Sequence, residues 1–223
     1  MVTFAPFTPV HGICLAVTLA LVGLPLVVAR WQRTVARWII TTLLLWAASG
    51  VVLLITERGT ARIVDVLPLH LCDLVLVIVA IAFFTRSQLL FELGYFYGIA
   101  GSVPALLTPD IAGTMPLWRV AYFFGAHAAV IAAVLYLLVV EKFRPAPRAV
   151  WRAMAGLVVY VVVIGTFDAL TGANYGYLCH KPSQPSLMDY LGPWPWYIGA
   201  LGGIGLVLFA LLAHLAASRQ VEQ

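Results

Sequence analysis

The sequence predicts an all-α, polytopic bundle of seven membrane-spanning helices, and three observations predict it. Hydrophobic residues make up 63% of the chain and charged residues 10%, against about 45–50% and 25% in a soluble domain. Seven separate apolar runs each reach the roughly 17–25 residues that cross a bilayer. Lysine and arginine alternate between rich and poor connections along the chain, the pattern that sets membrane orientation. With a mean hydropathy of +1.00, the 223 residues are expected to form one bundle, 1–223, without a soluble domain. The net charge of +4 then reports orientation and gives no reason to expect nucleic acid. The expected partner is membrane lipid.

In chain order the spans are expected at about 11–29, 38–55, 66–84, 89–107, 117–140, 149–170 and 193–216. The N-terminal "MVTFAPFTPVHG" has no basic region and no clear small-residue cleavage site follows it, so the first span is expected to be retained. The fourth span carries Gly94 and Gly98, and the seventh Gly199 and Gly203; small residues four apart permit close helix approach in a membrane. The connections are short except Thr171 to Gly192. Pro193 and Pro195 suit a helix entry, and Trp194, Trp196 and Tyr197 form an interfacial aromatic belt.

Arg30, Arg33, Arg37, Arg86, Lys142, Arg144, Arg148, Arg152 and Arg219 fall on one side of this arrangement. Arg58, Arg62, Arg119 and Lys181 fall on the other, which accounts for all 13 basic residues. Nine against four places the N-terminus outside and the C-terminus in the cytoplasm of what is expected to be a bacterial plasma membrane. The polar chemistry then gathers at the outer face: His70, Cys72 and Asp73 at the start of span three, Asp110 after span four, Arg119 in span five, Asp168 in span six, and Asn174, Tyr175, His180 and Lys181 in the long loop. That loop is long and polar enough to fold over the bundle mouth as a lid.

An ionisable group inside a span is expensive, so it faces the interior and has a partner. His127 lies ten residues into span five, about 15 Å below the outer edge at 1.5 Å per residue. It reads either as a neutral histidine bonded to a neighbouring helix or as a general base or proton relay. Cys72 is the cysteine with polar neighbours; Cys14 fits a small inert hydrophobe. On a helix His70 and Cys72 would lie about 200° apart, whereas His70 and Asp73 would share a face as an orienting pair or as substrate contacts. A base for Cys72 must therefore come from another span or loop, and His127 and His180 are on the correct side; His11 lies at the same edge, outside any polar cluster. Glu92 is expected to pair with Arg86 or to snorkel to the cytoplasmic surface. Asp168 and Arg119 read as exposed end-groups or as a pair across spans five and six. With three cysteines the chain has no disulfide framework. It holds no P-loop, GxSxG, HExxH or zinc-type CxxC, and neither His70-x-Cys72 nor Cys179-His180 is a recognised ligand spacing, so no metal and no cofactor are expected.

The segments "LPLHLCDL" (67–74), "ELGYFYGIAGSVPALLTPDI" (92–111), "FFGAH" (123–127) and "TGANYGYLCHKPSQPSLMDYLGPWPWY" (171–197) together resemble the YwaF-type family of bacterial integral membrane proteins, over residues 65 to 200. More distantly the chain is similar to a vertebrate transmembrane phospholipid acyltransferase and to androgen-induced hydrolases of fatty-acid esters. Those relatives imply an intramembrane nucleophile working with a histidine on another span, here Cys72 and His127. The resemblance implies a lipid acyltransferase or lipid-ester hydrolase. The His70, Asp73, Arg119, Asp168, Asn174, Tyr175, His180 and Lys181 group would contact substrate, with Asn174, Tyr175 and His180 toward the oxyanion or head group. Two other classes fit the polar mouth: a small-solute or proton-coupled transporter using His127, and a non-catalytic scaffold or sensor.

Overall fold

The structure, a computed structural model, describes residues 1–57, 64, 67–111, 113–182 and 186–218. Arg58, Arg62 and Arg219 of the charge pattern lie outside them. The chain is all-α apart from one small ribbon. Seven helices follow in order: α1 (Pro9–Val28), α2 (Arg33–Glu57), α3 (Leu71–Thr85), α4 (Gln88–Leu107), α5 (Leu117–Val139), α6 (Ala149–Thr171) and α7 (Trp196–Ser218). Six are long and apolar enough to cross a membrane; α3 has 15 residues, about 22 Å at 1.5 Å per residue, short of a hydrocarbon core of about 30 Å. The 66–84 expectation was too long at its start because residues Leu67 to His70 form bends, and α3 begins only after His70 turns extended (φ −61°, ψ 147°). Pro68 contributes, since proline disfavours helical backbone at the residue before it.

Local signals set most other ends. Thr8 caps α1 by accepting the His11 N–H, with Pro9 at the first helical position, and Ser87 caps α4 by accepting from Leu90. At the far end of α6 the backbone turns left-handed at Gly172 (φ 73°), which a residue without Cβ adopts freely.

The ribbon was not anticipated. Strand β1 (Val2–Phe4) pairs antiparallel with β2 (Gly113–Met115), aligning Thr3 with Thr114. This joins the N-terminus to the α4–α5 connection at one end of the bundle. At the opposite end Glu141, after α5, binds Arg37 of α2 at 3.1 Å and Arg86, after α3, at 3.0 Å. The α1–α2, α3–α4 and α5–α6 connections therefore meet at that basic end. With both junctions in place, α1, α4 and α5 each run from one end of the bundle to the other.

The centre is α5, packed by α1, α2, α3 and α4. Its Ala128, Ala129, Ala132 and Ala133 are fully buried. Small side chains let neighbouring backbones come close where lipid and core are equally apolar and packing must do the work. The Gly94/Gly98 pair serves the same purpose: a Cβ on Gly94 would meet Val79 at 2.6 Å and one on Gly98 would meet Val130 at 2.9 Å. Gly199 and Gly203 do not. A Cβ there would meet nothing within 4 Å, because that stripe of α7 faces away from the bundle.

Glu92 neither pairs with Arg86 nor snorkels. It is fully buried, accepts from Gln88 at 2.8 Å and from the Ala146 N–H at 3.0 Å, and is paired with Arg152 at 3.0 Å. Arg86 is taken by Glu141, so α6 supplies the cation instead. Glu92 thereby ties α4 to the α5–α6 connection and to α6. Replacing Glu92 by Ala is expected to lower stability by about 1.5–3 kcal/mol, less than for a fully buried pair because Arg152 can turn to water. Thermal unfolding in detergent micelles measures it, with Glu92→Gln expected to lose less.

Candidate functional site

The site lies at the N-terminal end of the bundle. On α3 the positions 72, 76, 79 and 83 follow a 4-3-4 spacing and form one stripe. Leu76, Val79 and Phe83 on it are buried, while Val77, Ile81 and Phe84 on the opposite face are exposed. Cys72 therefore belongs to the inward stripe. Its own surface is nevertheless exposed. It sits in the first turn of α3, not four to six residues into a span, and its sulfur faces the backbone N–H groups of Cys72 and Asp73. Those are first-turn amides, the positive end of the helix dipole.

Three tyrosines from three elements lie within electrostatic reach of that sulfur: Tyr122 of α5, Tyr160 of α6 and Tyr177 of the α6–α7 connection. Asp73 acts on Tyr122 and Tyr160 as well. Tyr160 donates to the Leu69 carbonyl at 3.0 Å, and Tyr177 donates to the Asp110 carboxylate. Burial raises the Tyr177 phenol above its ordinary value, and the Asp110 hydrogen bond and charge add to this. None of the three was singled out from sequence. They come from three elements and share no motif, so their common electrostatic coupling to Cys72 is a tertiary fact.

His70 is not on the α3 face with Asp73. It is the residue before the helix, so the helical spacing does not apply to it. Its ring packs edge-on against Tyr175 at 5.0 Å and near Tyr177 at 6.0 Å, and its Nδ1 accepts the Gly176 N–H at 3.4 Å. Tyr175 is buried and donates to the Val64 carbonyl at 3.0 Å. Asn174 spends its amide on its own loop. Its Oδ1 accepts the N–H groups of Cys179 (3.0 Å) and His180 (3.1 Å), while its Nδ2 donates to the His180 carbonyl (2.8 Å) and ring Nδ1 (3.0 Å). The long loop is in fact packed on the mouth. Tyr175 and Leu178 are buried with Ile164 of α6 against Leu67 and Leu69, and Gly176 (φ 61°) lies so close to Tyr160 that a Cβ would fall 2.7 Å from its hydroxyl oxygen.

Asp168 is buried, and neither carboxylate oxygen accepts a hydrogen bond among the described residues. It is thus not an exposed end-group. The Tyr175 N–H approaches it without closing a bond, and His180 acts on it electrostatically. Arg119 lies over the Trp118 ring at 5.9 Å, and Lys181 over Tyr197 at 5.6 Å; they are the basic residues of this end among those described.

His127 is buried, with Nδ1 2.6 Å from the Phe123 carbonyl and its ring 4.6 Å from the Phe123 ring. A carbonyl oxygen cannot donate, so Nδ1 carries the proton and Nε2 is left as an acceptor. No hydrogen bond joins His127 to Cys72 among the described residues. Relative to Tyr122, His127 is five residues on, about 140° around α5 and about 7.5 Å deeper. His11 belongs to a separate apolar nest of Phe4, Phe7 and Phe124, accepts the Phe7 N–H at 3.0 Å and donates from Nε2 to Leu106 at 2.8 Å. No group of three or more metal-ligating side chains occurs among the described residues.

Two outcomes test this geometry. Asn174→Ala removes four bonds inside one loop, so limited proteolysis should cut at 174–181 at least ten times faster than in the parent. For Tyr177 the folded phenol ionises at higher pH than the unfolded one, whose value is about 10. Its contribution to stability is therefore complete below about pH 10 and lost as pH rises beyond it. The alkaline fall in melting temperature should be shallower in Tyr177→Phe.

Comparison with known proteins adds the family. A protein of Treponema pallidum (strain Nichols), itself described only as uncharacterized, is 28% identical over 118 residues, 53% of this chain and 49% of the relative. The match thus spans about half the length of that relative. No solved structure matches the chain. The profile of the TMEM164 family matches residues 6–213, nearly the whole bundle, and the chain belongs to that family.

Proposed function

We propose that this chain is an acyl-transfer enzyme of the membrane, an acyltransferase or lipid-ester hydrolase with Cys72 as nucleophile and His127 as base. The carrying observation is Cys72 itself, a thiol on the inward stripe of α3 that remains open at a helix N-terminus, with Tyr122, Tyr160 and Tyr177 in electrostatic reach. The resemblance to YwaF-type proteins and to transmembrane phospholipid acyltransferases supports the same pair. In this reading all seven helices cross a bacterial plasma membrane, α3 included, with the N-terminus outside, and the basic end rich in arginine faces the cytoplasm.

The Cys72 thiol gives its proton to Nε2 of His127, whose Nδ1–H is held by Phe123. The thiolate attacks an ester carbonyl of a membrane lipid, forming the C–S bond and a tetrahedral oxyanion. Collapse breaks the ester C–O bond, and the departing alkoxide takes the proton from His127. A second hydroxyl, or water, then releases the acyl group from the thioester by the reverse sequence. The resting structure holds no Cys72–His127 hydrogen bond; such contacts commonly close only in the substrate complex. Arg119 and Lys181, resting on aromatic rings at the rim, are placed for a lipid phosphate, and His70, Asp73 and Asp168 shape the mouth with the Asn174–His180 loop above it.

A permeation path finds less support. The basic half is filled by Phe83, Phe91, Phe96 and Tyr136, each exposed by 1% or less, and Glu92 there is ion-paired with Arg152. Cys72→Ala should abolish labelling by an acyl-ester activity probe while leaving the melting temperature within about 2 °C, since an exposed thiol contributes little packing. Unchanged labelling would remove the assignment.

A further inference from the structure

Of the three tyrosines around Cys72, two have given their hydroxyl protons away: Tyr160 to the Leu69 carbonyl and Tyr177 to Asp110. A phenol has one proton to donate. The Tyr122 hydroxyl has no hydrogen-bond partner among the described residues. It is the donor left over, five residues into α5, and Asp73 and Cys72 act on it electrostatically.

The ring that carries it is seated from the other side. Gly50 of α2 lies flat against Tyr122, and a Cβ on Gly50 would fall 2.1 Å from Cδ2 and 2.3 Å from Cε2. Trp46, one turn earlier on α2, tilts against the same ring with centroids 6.4 Å apart. Trp46 is itself let in by Gly125, where a Cβ would fall 2.3 Å from its ring. Two glycines, one on each helix, thus interlock two aromatic rings across the α2–α5 contact. Helix packing alone does not call for a phenol here, since phenylalanine would fill the same seat. What the seat adds is direction, because the ring is gripped along its edge and the oxygen projects beyond it.

We propose that Tyr122 donates the hydrogen bond that stabilises the oxyanion formed when Cys72 attacks an ester carbonyl, with Gly50 as the positioning residue that aims it. This rests on the acyl-transfer reading. In the step, the sulfur lone pair forms the C–S bond and the carbonyl π pair moves onto oxygen. Tyr122 O–H binds that oxygen without transferring its proton. The pair returns as the ester C–O bond breaks, and the leaving alkoxide is protonated by His127. A single preorganised donor at this point is worth about 10²–10³ in rate. Alkylation of the same thiol by iodoacetamide passes through no oxyanion and has no use for the donor.

That difference provides the test. The full-length protein is placed in nanodiscs with Cys14 and Cys179 replaced by Ser, and Cys72 is followed by mass spectrometry with two reagents, iodoacetamide and a p-nitrophenyl acyl ester. Tyr122→Phe is expected to slow acylation by the ester about 10²-fold or more and to leave alkylation within about 2-fold. Gly50→Ala, which must displace the ring, is expected to reproduce the Tyr122→Phe pattern, slowing acylation while leaving alkylation within about 2-fold. Equal slowing of both reactions would reflect a damaged fold or lost access and overturn the assignment, as would slowing of neither. If the unsubstituted Tyr122 protein alkylates at Cys72 but is never acylated there, the acyl-transfer reading itself fails, an outcome distinct from failure of Tyr122 alone.

Discussion

The rest of the structure depends on how closely the neighbouring helices can approach α5. In an apolar solvent burial of hydrocarbon gives little net drive, so helices are held by contact and by polar groups that have nowhere else to go. Alanines along α5 and glycines on α2 and α4 permit that contact. Where the small residues run, as at Gly98 against Val130, the bundle is tight.

The two ends of the bundle solve the problem of charge differently. At the basic end each carboxylate is answered: Glu141 by two arginines, Glu92 by Arg152, Gln88 and a backbone N–H. At the other end the carboxylates of Asp73, Asp110 and Asp168 gather around tyrosines, and Asp168 accepts no hydrogen bond among the described residues. A buried carboxylate such as Asp168 is costly in a dry setting.

Much of this was legible in the sequence, and the limits have physical causes. Apolar run length located the seven helices, and loop charge sorted their ends, because both signals are local. Helical period misapplied itself to His70, since the backbone is extended at His70 and the helix begins only after it. Glu92 drew the wrong partner because the nearest arginine in sequence was already engaged by a glutamate 55 positions away. The β1–β2 ribbon was invisible for a similar reason: "VTF" and "GTM" are too short to carry a strand pattern, and each is a strand only through the other. The tyrosines around Cys72 come from three elements and share no motif. Asn174, a candidate for substrate by its position, is occupied by the loop that holds it, which only its four bonds disclose.

The ribbon also says something about time. Residues 2–4 are made before α1, yet their partner strand ends at Met115, after four helices have been made. Strand β1 cannot be fastened until α4 and the segment after it exist, and once fastened it binds α1 to the α4–α5 turn at the mouth. In domains made N-terminus first, such a closure is late by construction. Tyr160 and Tyr177, which act electrostatically on Cys72, come later still, so the surroundings of that thiol are completed only after α6 and the segment that follows it have been made.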